Sequence, residues 1–166
     1  MAWAGGGTGL GKSSSFQVMN AGARLGRVLT AGHGPGFLHG NFEYCVEGVP
    51  LYLFFQNKPA GGRQTVYGGA LSPLILKWNF TSGKRIVPFG AIEESVIFTT
   101  RDVPAGNTSQ VNFGSGVASG VQILQRGRHA VSASAHLLHI SNASMGQTNP
   151  GINVGVQFRL GLQWWK

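Results

Sequence analysis

Acidic residues, cysteine and long apolar runs are all scarce in this sequence. Only five residues are acidic, against 13 lysines and arginines, and charged residues make up 11% of the chain. Such a small charged fraction is unusual for a soluble globular domain. No window approaches the roughly 18 consecutive apolar residues of a membrane-spanning helix, which excludes that class. The single cysteine, Cys45, excludes an intrachain disulfide and is interpreted as a plain strand residue.

Glycine is abundant instead, with 27 residues in a chain of 166. The length suits a single domain, residues 1–166, that closes one sheet on itself. The net charge of +8 favours an anionic partner, such as nucleic acid, an acidic lipid or a phosphorylated glycolipid, without choosing among them. The chain opens with neither the basic start nor the apolar segment of a signal peptide, so we interpret it as a mature or truncated form.

Period-two alternation of apolar residues predicts eight β-strands, and no stretch has the apolar periodicity of a helix. The predicted strands are residues 1–6 (a short, truncated first strand), 15–29, 36–55, 65–80, 84–99, 109–125, 128–141 and 152–165. The connections between them alternate in length, longer at 7–14, 56–64, 100–108 and 142–151 and shorter at 30–35, 81–83 and 126–127. This alternation is typical of outer-membrane barrels whose termini lie on the periplasmic side.

The residues between the apolar positions separate a soluble barrel from a membrane barrel. In segment 109–125 they include glycine, alanine, asparagine and glutamine, which are too small and polar to fill a soluble core. In a membrane barrel the apolar residues face lipid and such residues fill a narrow polar lumen. The sequence therefore predicts an all-β fold, an eight-stranded antiparallel up-and-down transmembrane β-barrel in a bacterial outer membrane.

Two carboxylates of the third predicted strand, Glu43 and Glu47, share the parity expected to face the lumen. There they can pair with Arg24 or Arg159, and we expect their role to be structural. The opposite, outward parity is predicted for Phe42, Tyr44, Val46, Tyr52 and Phe54.

The run Gly6-x-x-x-x-Gly11-Lys12-Ser13 matches the P-loop pattern of nucleotide-binding proteins. That motif needs a buried strand before it and a helix after it, and the sequence predicts neither. We therefore interpret the run as a Gly/Ser-rich hairpin loop. The histidines are scattered without metal-ligand spacing, so no metal and no cofactor are expected.

His139 and Ser141 lie two residues apart at the end of the seventh predicted strand. Their side chains therefore emerge on one face, about 7 Å apart along the strand. Rotamers and twist can bring the imidazole to the hydroxyl, which supplies a general base and a nucleophile for acyl transfer. The pair shares its parity with Val131, Ala133 and Leu137, so we expect it to face lipid near the outer leaflet. A polar pair there is costly unless it is functional or interfacial; the alternative is a strand-end cluster that serves the following turn.

The segment around this pair resembles a known family. His139-x-Ser141-Asn142-Ala143, followed by Asn149-Pro150-Gly151-Ile152 and a closing alternating strand, is similar to the outer-membrane lipid A 3-O-deacylases, also called acyloxyacyl hydrolases. The likeness extends through the Gly-rich start and segments 74–80 and 98–104, and so covers nearly the whole chain. It implies an eight-stranded barrel with a lipid-facing active site that hydrolyses the 3-linked hydroxyacyl ester of lipid A without a metal.

The resemblance also implies roles for individual residues. Ser141 would attack the ester carbonyl, and His139 would take its proton and return it to the departing hydroxyl. Asn142 and the backbone N–H of Ser144, where the family usually has glycine, would stabilise the oxyanion. The residues expected to bind substrate are Asn149, Lys12 and Arg101, the two cations through the phosphates of lipid A.

Asn153 departs from the family pattern, because the resemblance places the acid of a Ser-His-Glu triad at this position. An asparagine carbonyl can accept a hydrogen bond from His139 and fix its tautomer, but it stabilises an imidazolium less than a carboxylate does. We therefore expect a slower or differently tuned esterase. None of the five acids is an obvious replacement in the sequence.

Two alternatives stay open. A catalytically silent barrel of the same fold, with a structural or adhesive role, is compatible with Asn153. A soluble barrel that binds a small ligand or nucleic acid is supported mainly by the charge of +8. The preferred interpretation has lipopolysaccharide and outer-membrane lipid as partners and no nucleic acid, and it leaves a homodimer open.

Overall fold

The computed structural model describes residues 1–13, 15–82, 85–106, 108–125 and 128–164, apart from the side chains of residues 153 and 154. Within these ranges eight antiparallel strands close into one barrel in chain order. They are β1 (Ala2–Gly9), β2 (Gln17–Val28), β3 (Gly40–Asn57), β4 (Arg63–Phe80), β5 (Ile86–Thr99), β6 (Val111–Leu124), β7 (His129–Ser141) and β8 (Ile152–Trp164). The predicted eight-stranded up-and-down barrel is confirmed.

The barrel closes where β1 pairs with β8, from Ala2 opposite Leu162 to Gly9 opposite Gly155. Glycine is needed along this seam because the backbones approach closely. A β-carbon at Gly7 would overlap the carbonyl oxygen of Val156 on β8. The Gly-rich start of the chain is therefore a closing strand rather than a phosphate-binding loop.

One end of the barrel carries the β1–β2, β3–β4, β5–β6 and β7–β8 connections, and we call it the site end because Ser141 lies there. The predicted alternation of connection lengths is wrong. Connection 29–39, at the opposite end, is as long as connection 100–110, and connection 58–62, at the site end, is as short as connection 81–85. Connection 29–39 contains a 3-10 turn, Gly36–Leu38, whose apolar residues had suggested an earlier start for β3.

Large apolar side chains are exposed all around the outer wall. They include Met19, Leu25, Phe42, Val46, Leu51, Tyr67, Leu71, Leu74, Ile92, Phe98, Val117, Val131, Leu137, Phe158, Leu160 and Leu162. A soluble monomer does not expose an apolar surface of this extent, whereas a membrane barrel presents such a belt to lipid. Among the described residues no helix is long and apolar enough to cross a membrane.

A β-bulge in β3 reverses the parity of its second half. Val49 lies opposite Ala70, but Tyr52 lies opposite Gly68, so β3 holds one extra residue between these pairs. Tyr52 and Phe54 therefore point inward and are buried, and the prediction that they face outward is wrong. The run around the bulge is apolar on both faces, which hides the change of parity from the sequence.

The middle of the lumen holds a network of buried charges. Glu47 Oε2 lies 2.7 Å from Arg24 Nη2, and its Oε1 lies 3.2 Å from Arg159 Nη1. Glu93 Oε2 lies 3.6 Å from both guanidinium groups. The predicted pairing of Glu47 with these arginines is confirmed, and the four side chains fill the barrel at this level.

Glu43 has different partners from those predicted. Its Oε2 accepts hydrogen bonds from Lys77 Nζ at 2.9 Å and from Asn79 Nδ2 at 3.0 Å. Cys45, on the same strand, is fully buried, and its thiol lies 3.4 Å from Glu43 Oε1. The inward parity of Glu43 is thus confirmed, but a lysine rather than an arginine compensates its charge.

Near the site end large apolar side chains are buried in the lumen beside polar ones such as Gln56 and Asn112, so the lumen at this end is mixed rather than polar throughout as predicted. The least exposed of these apolar side chains, at 2% or below, are Phe54, Val66, Ile97, Val103, Ile140 and Ile152. Ile140 lies between His139 and Ser141 in β7. Its burial anchors the strand end that carries both of these polar side chains.

Candidate active site

The alternation of burial along β7 sets the direction in which each side chain points. Odd-numbered residues from Val131 to His139 are exposed on the outer wall, and Ser141 is half-buried at the end of the strand. His139 thus shares the outer face with Leu137, and Ser141 follows on the same parity. The two side chains emerge next to each other where the wall meets the β7–β8 connection.

The imidazole and the hydroxyl do not yet touch each other. No hydrogen bond joins His139 to Ser141 in the described part of the chain, and the pair is open in this conformation. Catalytic hydrogen bonds are often long before substrate binds and shorten in the productive complex. Rotation of the His139 side chain can bring its ring nitrogen to the Ser141 oxygen.

The residues after Ser141 form a tight turn with a rare backbone conformation. Ala143 has φ of 49° and Ser144 has φ of 63°, and the backbone N–H of Met145 donates to Asn142 O at 2.9 Å. Non-glycine residues adopt positive φ infrequently, and such strain persists where the surroundings enforce it, often at functional sites. Ser144, at the position where the resemblance implies a glycine, therefore adopts a left-handed conformation.

Asn142 holds this turn together from within. It is buried, its Nδ2 donates to Thr148 O at 2.8 Å, and its Oδ1 accepts the Ser144 N–H at 2.9 Å. The backbone N–H of Asn142 in turn donates to Asn149 Oδ1 at 3.2 Å. The two expected oxyanion donors therefore already make hydrogen bonds within the loop. Asn142 Nδ2 donates to Thr148 O, and the Ser144 N–H donates to Asn142 Oδ1. They could act on an oxyanion only if these bonds exchange for it.

The backbone of β8 brings Asn153 level with His139. Leu138 lies opposite Gly155 and Ile140 lies opposite Ile152, so β8 carries an extra residue across from His139. A bulge of this kind is common beside active sites because it redirects a side chain. The side chain of Asn153, the expected third member of the triad, lies outside the described residues.

The two cations expected to bind lipid A phosphates lie at the site end but in separate connections. Lys12 is in the 3-10 turn Gly11–Ser13 after β1, and Arg101 is in the connection after β5. Both are exposed. Arg101 lines an open pocket together with Gln64, Asp102 and Gln110. These positions suit a diffuse basic rim around the end of the barrel.

Sequence reasoning missed a polar row on the outer wall next to His139. Ser115 of β6 lies opposite His139, and Glu94 of β5 lies opposite Ser115. The hydroxyl of Ser115 donates to Glu94 Oε2 at 2.6 Å. These residues are far apart in the chain, and only the register of three strands brings them together, so the sequence held no signal for the row.

A second serine–histidine pair lies on the inner face of β7. Ser134 Oγ is 2.9 Å from His136 Nε2, and His136 Nδ1 is 2.9 Å from Glu93 Oε1. The connectivity is that of a Ser-His-acid triad, but His136 and Glu93 are buried in the lumen. His136 and Glu93 therefore lie on the face of the wall that points away from a lipid ester in the membrane. We interpret these three hydrogen-bonded side chains as part of the buried charge network.

A family model described as lipid A 3-O-deacylase (PagL) matches residues 48–163. This range spans most of the barrel and includes both His139 and Ser141. The chain belongs to this family. The match includes Asn142, Asn149 and Asn153, whereas Lys12 lies outside it. The resemblance seen in the sequence is thereby confirmed for the PagL family.

A solved structure with a similar fold is described as the crystal structure of the outer membrane enzyme PagL. The two sequences are 16% identical, and the structures superpose with a TM-score of 0.65. The alignment covers 95% of this chain and 97% of the solved one. At this identity the likeness establishes the fold. Among curated proteins, none matches the chain. The bacterial outer-membrane location predicted from the sequence agrees with the PagL family and with the barrel.

Proposed function

We propose that this protein is a lipid A deacylase, a serine esterase that removes the 3-O-linked hydroxyacyl chain of lipopolysaccharide at the lipid-facing surface of the barrel. The proposal depends chiefly on one observation. His139 and Ser141 emerge side by side on the exposed face of β7, at the end of the strand, rather than in the lumen. A base and a nucleophile in that position meet a membrane lipid without any channel through the protein.

The reaction follows from the chemistry of the pair. Ser141 Oγ attacks the ester carbonyl while His139 accepts the hydroxyl proton. The tetrahedral intermediate collapses, the C–O bond to the sugar breaks, and the imidazolium returns its proton to the departing sugar hydroxyl. Water, deprotonated by the same imidazole, then attacks the acyl-serine and releases the 3-hydroxy fatty acid. No step needs an oxidant, a metal or a second substrate other than water.

The location on the wall supports a lipid substrate. Bacterial outer-membrane barrels have their termini on the periplasmic side, and in that orientation β7 runs outward and brings Ser141 to the level of the outer leaflet, where lipid A resides. The apolar belt below it places the acyl chains of a neighbouring lipid alongside the strand. Polar side chains on such a wall cost folding free energy, and those that occur there usually have a function.

Asn142 and the backbone N–H of Ser144 are the proposed oxyanion donors. Both are engaged in the resting turn, at 2.8 Å from Thr148 O and 2.9 Å from Asn142 Oδ1, respectively. Binding of the ester would therefore require the turn to exchange at least one internal bond for the oxyanion. Lys12 and Arg101 attract the phosphates, and Asn149 acts through the loop by holding the backbone of Asn142.

A catalytically silent barrel of the same fold is the second candidate. It is favoured by the asparagine at position 153 and by the internal bonding of the turn. The two candidates differ in one direct measurement. Purified protein in detergent micelles is incubated with hexa-acylated lipid A, and the product is analysed by mass spectrometry.

We expect the loss of one 3-hydroxyacyl group with the wild type and no loss with Ser141→Ala or His139→Asn. Heat-modifiable gel mobility checks that each variant is folded. No loss with the folded wild type, or equal loss with Ser141→Ala, would overturn the proposal in favour of the silent barrel or of another nucleophile.

A further inference from the structure

We propose that Glu94, acting through Ser115, is a positioning residue for His139 and supplies the acidic support that position 153 lacks in this chain. The inference depends on the proposed function, because it assigns a partner to the proposed base. It concerns two residues that no sequence motif of the site includes.

The strand register places three polar side chains in one row. Glu94 of β5 is directly opposite Ser115 of β6, and Ser115 is directly opposite His139 of β7. All three side chains are exposed on the outer wall. Directly opposite residues on antiparallel strands have β-carbons only about 4.5–5.5 Å apart. The three polar side chains therefore form a continuous row that ends at the imidazole.

The hydrogen bond in this row has a defined direction. Ser115 Oγ donates its proton to Glu94 Oε2 at 2.6 Å, a length typical of a charge-assisted bond. A hydroxyl has one proton to donate and two lone pairs that accept. With its proton committed to the carboxylate, the Ser115 oxygen can only accept, and the negative charge behind it makes it a better acceptor. The ring N–H of His139 is the donor on the next strand.

Glu94 lies at a position where a carboxylate lowers the stability of a membrane barrel. All five acids lie in the described part of the chain, and Glu94 is the one exposed on the strand wall. The others are Glu43, Glu47 and Glu93 in the lumen and Asp102 in a connection. Opposite Glu94 on its other side lies the outward-facing Leu74 of β4, and no lysine or arginine of the described residues forms an ion pair with it. A carboxylate on a lipid-facing wall destabilises a barrel, and a residue retained there despite this cost usually has a function.

The arrangement has a defined consequence for His139. No hydrogen bond joins Ser115 to His139 among the described residues, and we expect one to form in solution as the imidazole samples its side-chain rotamers. When Ser115 accepts the Nδ1–H, the ring is held in the tautomer whose Nε2 lone pair faces Ser141. The carboxylate, one hydroxyl away, then stabilises the imidazolium that forms during attack.

The test that does not depend on catalysis measures the tautomer of His139. Protein labelled with nitrogen-15 in its histidines is studied by NMR in micelles at a pH where the rings are neutral, and the His139→Asn spectrum assigns the signals. We expect mainly the Nδ1–H tautomer in the wild type and mainly the Nε2–H tautomer in Ser115→Ala, with Glu94→Gln in between. Ser119→Ala, an exposed serine on the same strand and face that lies opposite Ala135 instead, is the matched control and should leave the ratio unchanged.

The kinetic arm separates positioning from substrate binding. Glu94→Gln should lower kcat for lipid A about tenfold with little change in KM, and Glu94→Asp should restore part of the loss. The double variant Glu94→Gln/Ser115→Ala should be no slower than the slower single variant, because the two residues act as one unit.

The outcomes distinguish the two proposals. If the folded wild type fails to deacylate but the tautomer responds to Ser115→Ala, the proposed function fails while the link to His139 stands. If the wild type deacylates and neither the tautomer nor kcat responds to changes at Glu94 or Ser115, the inference is overturned and the proposed function stands.

Discussion

Replacing Glu47 with glutamine removes the centre of the buried charge network without changing the shape of the side chain. Glu47 bridges two arginines, at 2.7 Å to Arg24 and 3.2 Å to Arg159, and its side chain is 1% exposed. In the Glu47→Gln variant both guanidinium groups stay buried, while only Glu93, 3.6 Å from each, remains to compensate them. Two buried cations then share one carboxylate.

The magnitude follows from the desolvation of the orphaned cations. Removing one partner of a buried ion pair costs about 3–5 kcal/mol, because the remaining charge is left without compensation. Glu93 offsets part of this loss, so we expect a decrease of about 3 kcal/mol in the free energy of unfolding. The effect should be independent of the outer wall, since the network lies in the lumen.

The assay is urea unfolding in detergent micelles, followed by the gel-mobility difference between the folded and unfolded barrel. Glu94→Gln is the control, since it removes the same charge from the outer wall, where a carboxylate is costly, and should not lower the unfolding midpoint. A decrease of less than about 1 kcal/mol for Glu47→Gln would refute the reasoning, since it would mean that water rather than Glu47 compensates the arginines.

Three further predictions address the loop, the seam and the missing acid. Asn142→Ala removes the side chain that bonds Thr148 and Ser144 and that is the proposed oxyanion donor, so kcat should fall by about 10²-fold or more in the lipid A assay; a change below threefold would exclude the oxyanion role. Gly7→Ala should prevent closure of β1 on β8 and abolish the heat-modifiable band, whereas Gly48→Ala, where a β-carbon meets nothing within 4 Å, should fold normally; equal folding of both would contradict the close seam. Asn153→Glu introduces the acid that the resemblance implies at this position and should raise kcat, measured at saturating lipid A, and no increase would indicate that this position does not support His139.

The barrel itself could be predicted from the sequence because strand alternation is a local signal. The outward Phe158 and Leu160 alternate with the inward Gln157 and Arg159, so the pattern determines both the strand and its faces. The closing strand β1 was underestimated because glycine carries no side chain from which a face can be inferred. Its role depends on how closely the backbones of β1 and β8 approach, which is a property of the closed barrel.

The errors occur where one residue changes the geometry. The bulge before Tyr52 inserts a single residue into an apolar run, and the period of two cannot reveal a shift when both faces are apolar. Phe37 and Leu38 resemble the start of a strand, yet the positive φ of Gly36, 52°, begins a 3-10 turn instead.

Part of the site was likewise local and part was not. The shared face of His139 and Ser141 follows from their spacing of two residues in a strand. Glu94 and Ser115 are equally ordinary in the sequence, since their significance comes only from the register of β5, β6 and β7. The strained turn at Ala143 and Ser144 also depends on the bonds that Asn142 makes across the loop.

The most direct test of catalysis on the outer wall is to label the nucleophile chemically. The protein offers two serine–histidine pairs on opposite faces of one strand, Ser141 with His139 outside and Ser134 with His136 inside. Protein in micelles is treated with a long-chain alkyl fluorophosphonate, which modifies activated serines, and the labelled peptide is identified by mass spectrometry. We expect modification at Ser141 that is lost in His139→Asn and retained in Ser134→Ala. Modification at Ser134, or labelling of Ser141 that does not depend on His139, would contradict catalysis on the outer wall.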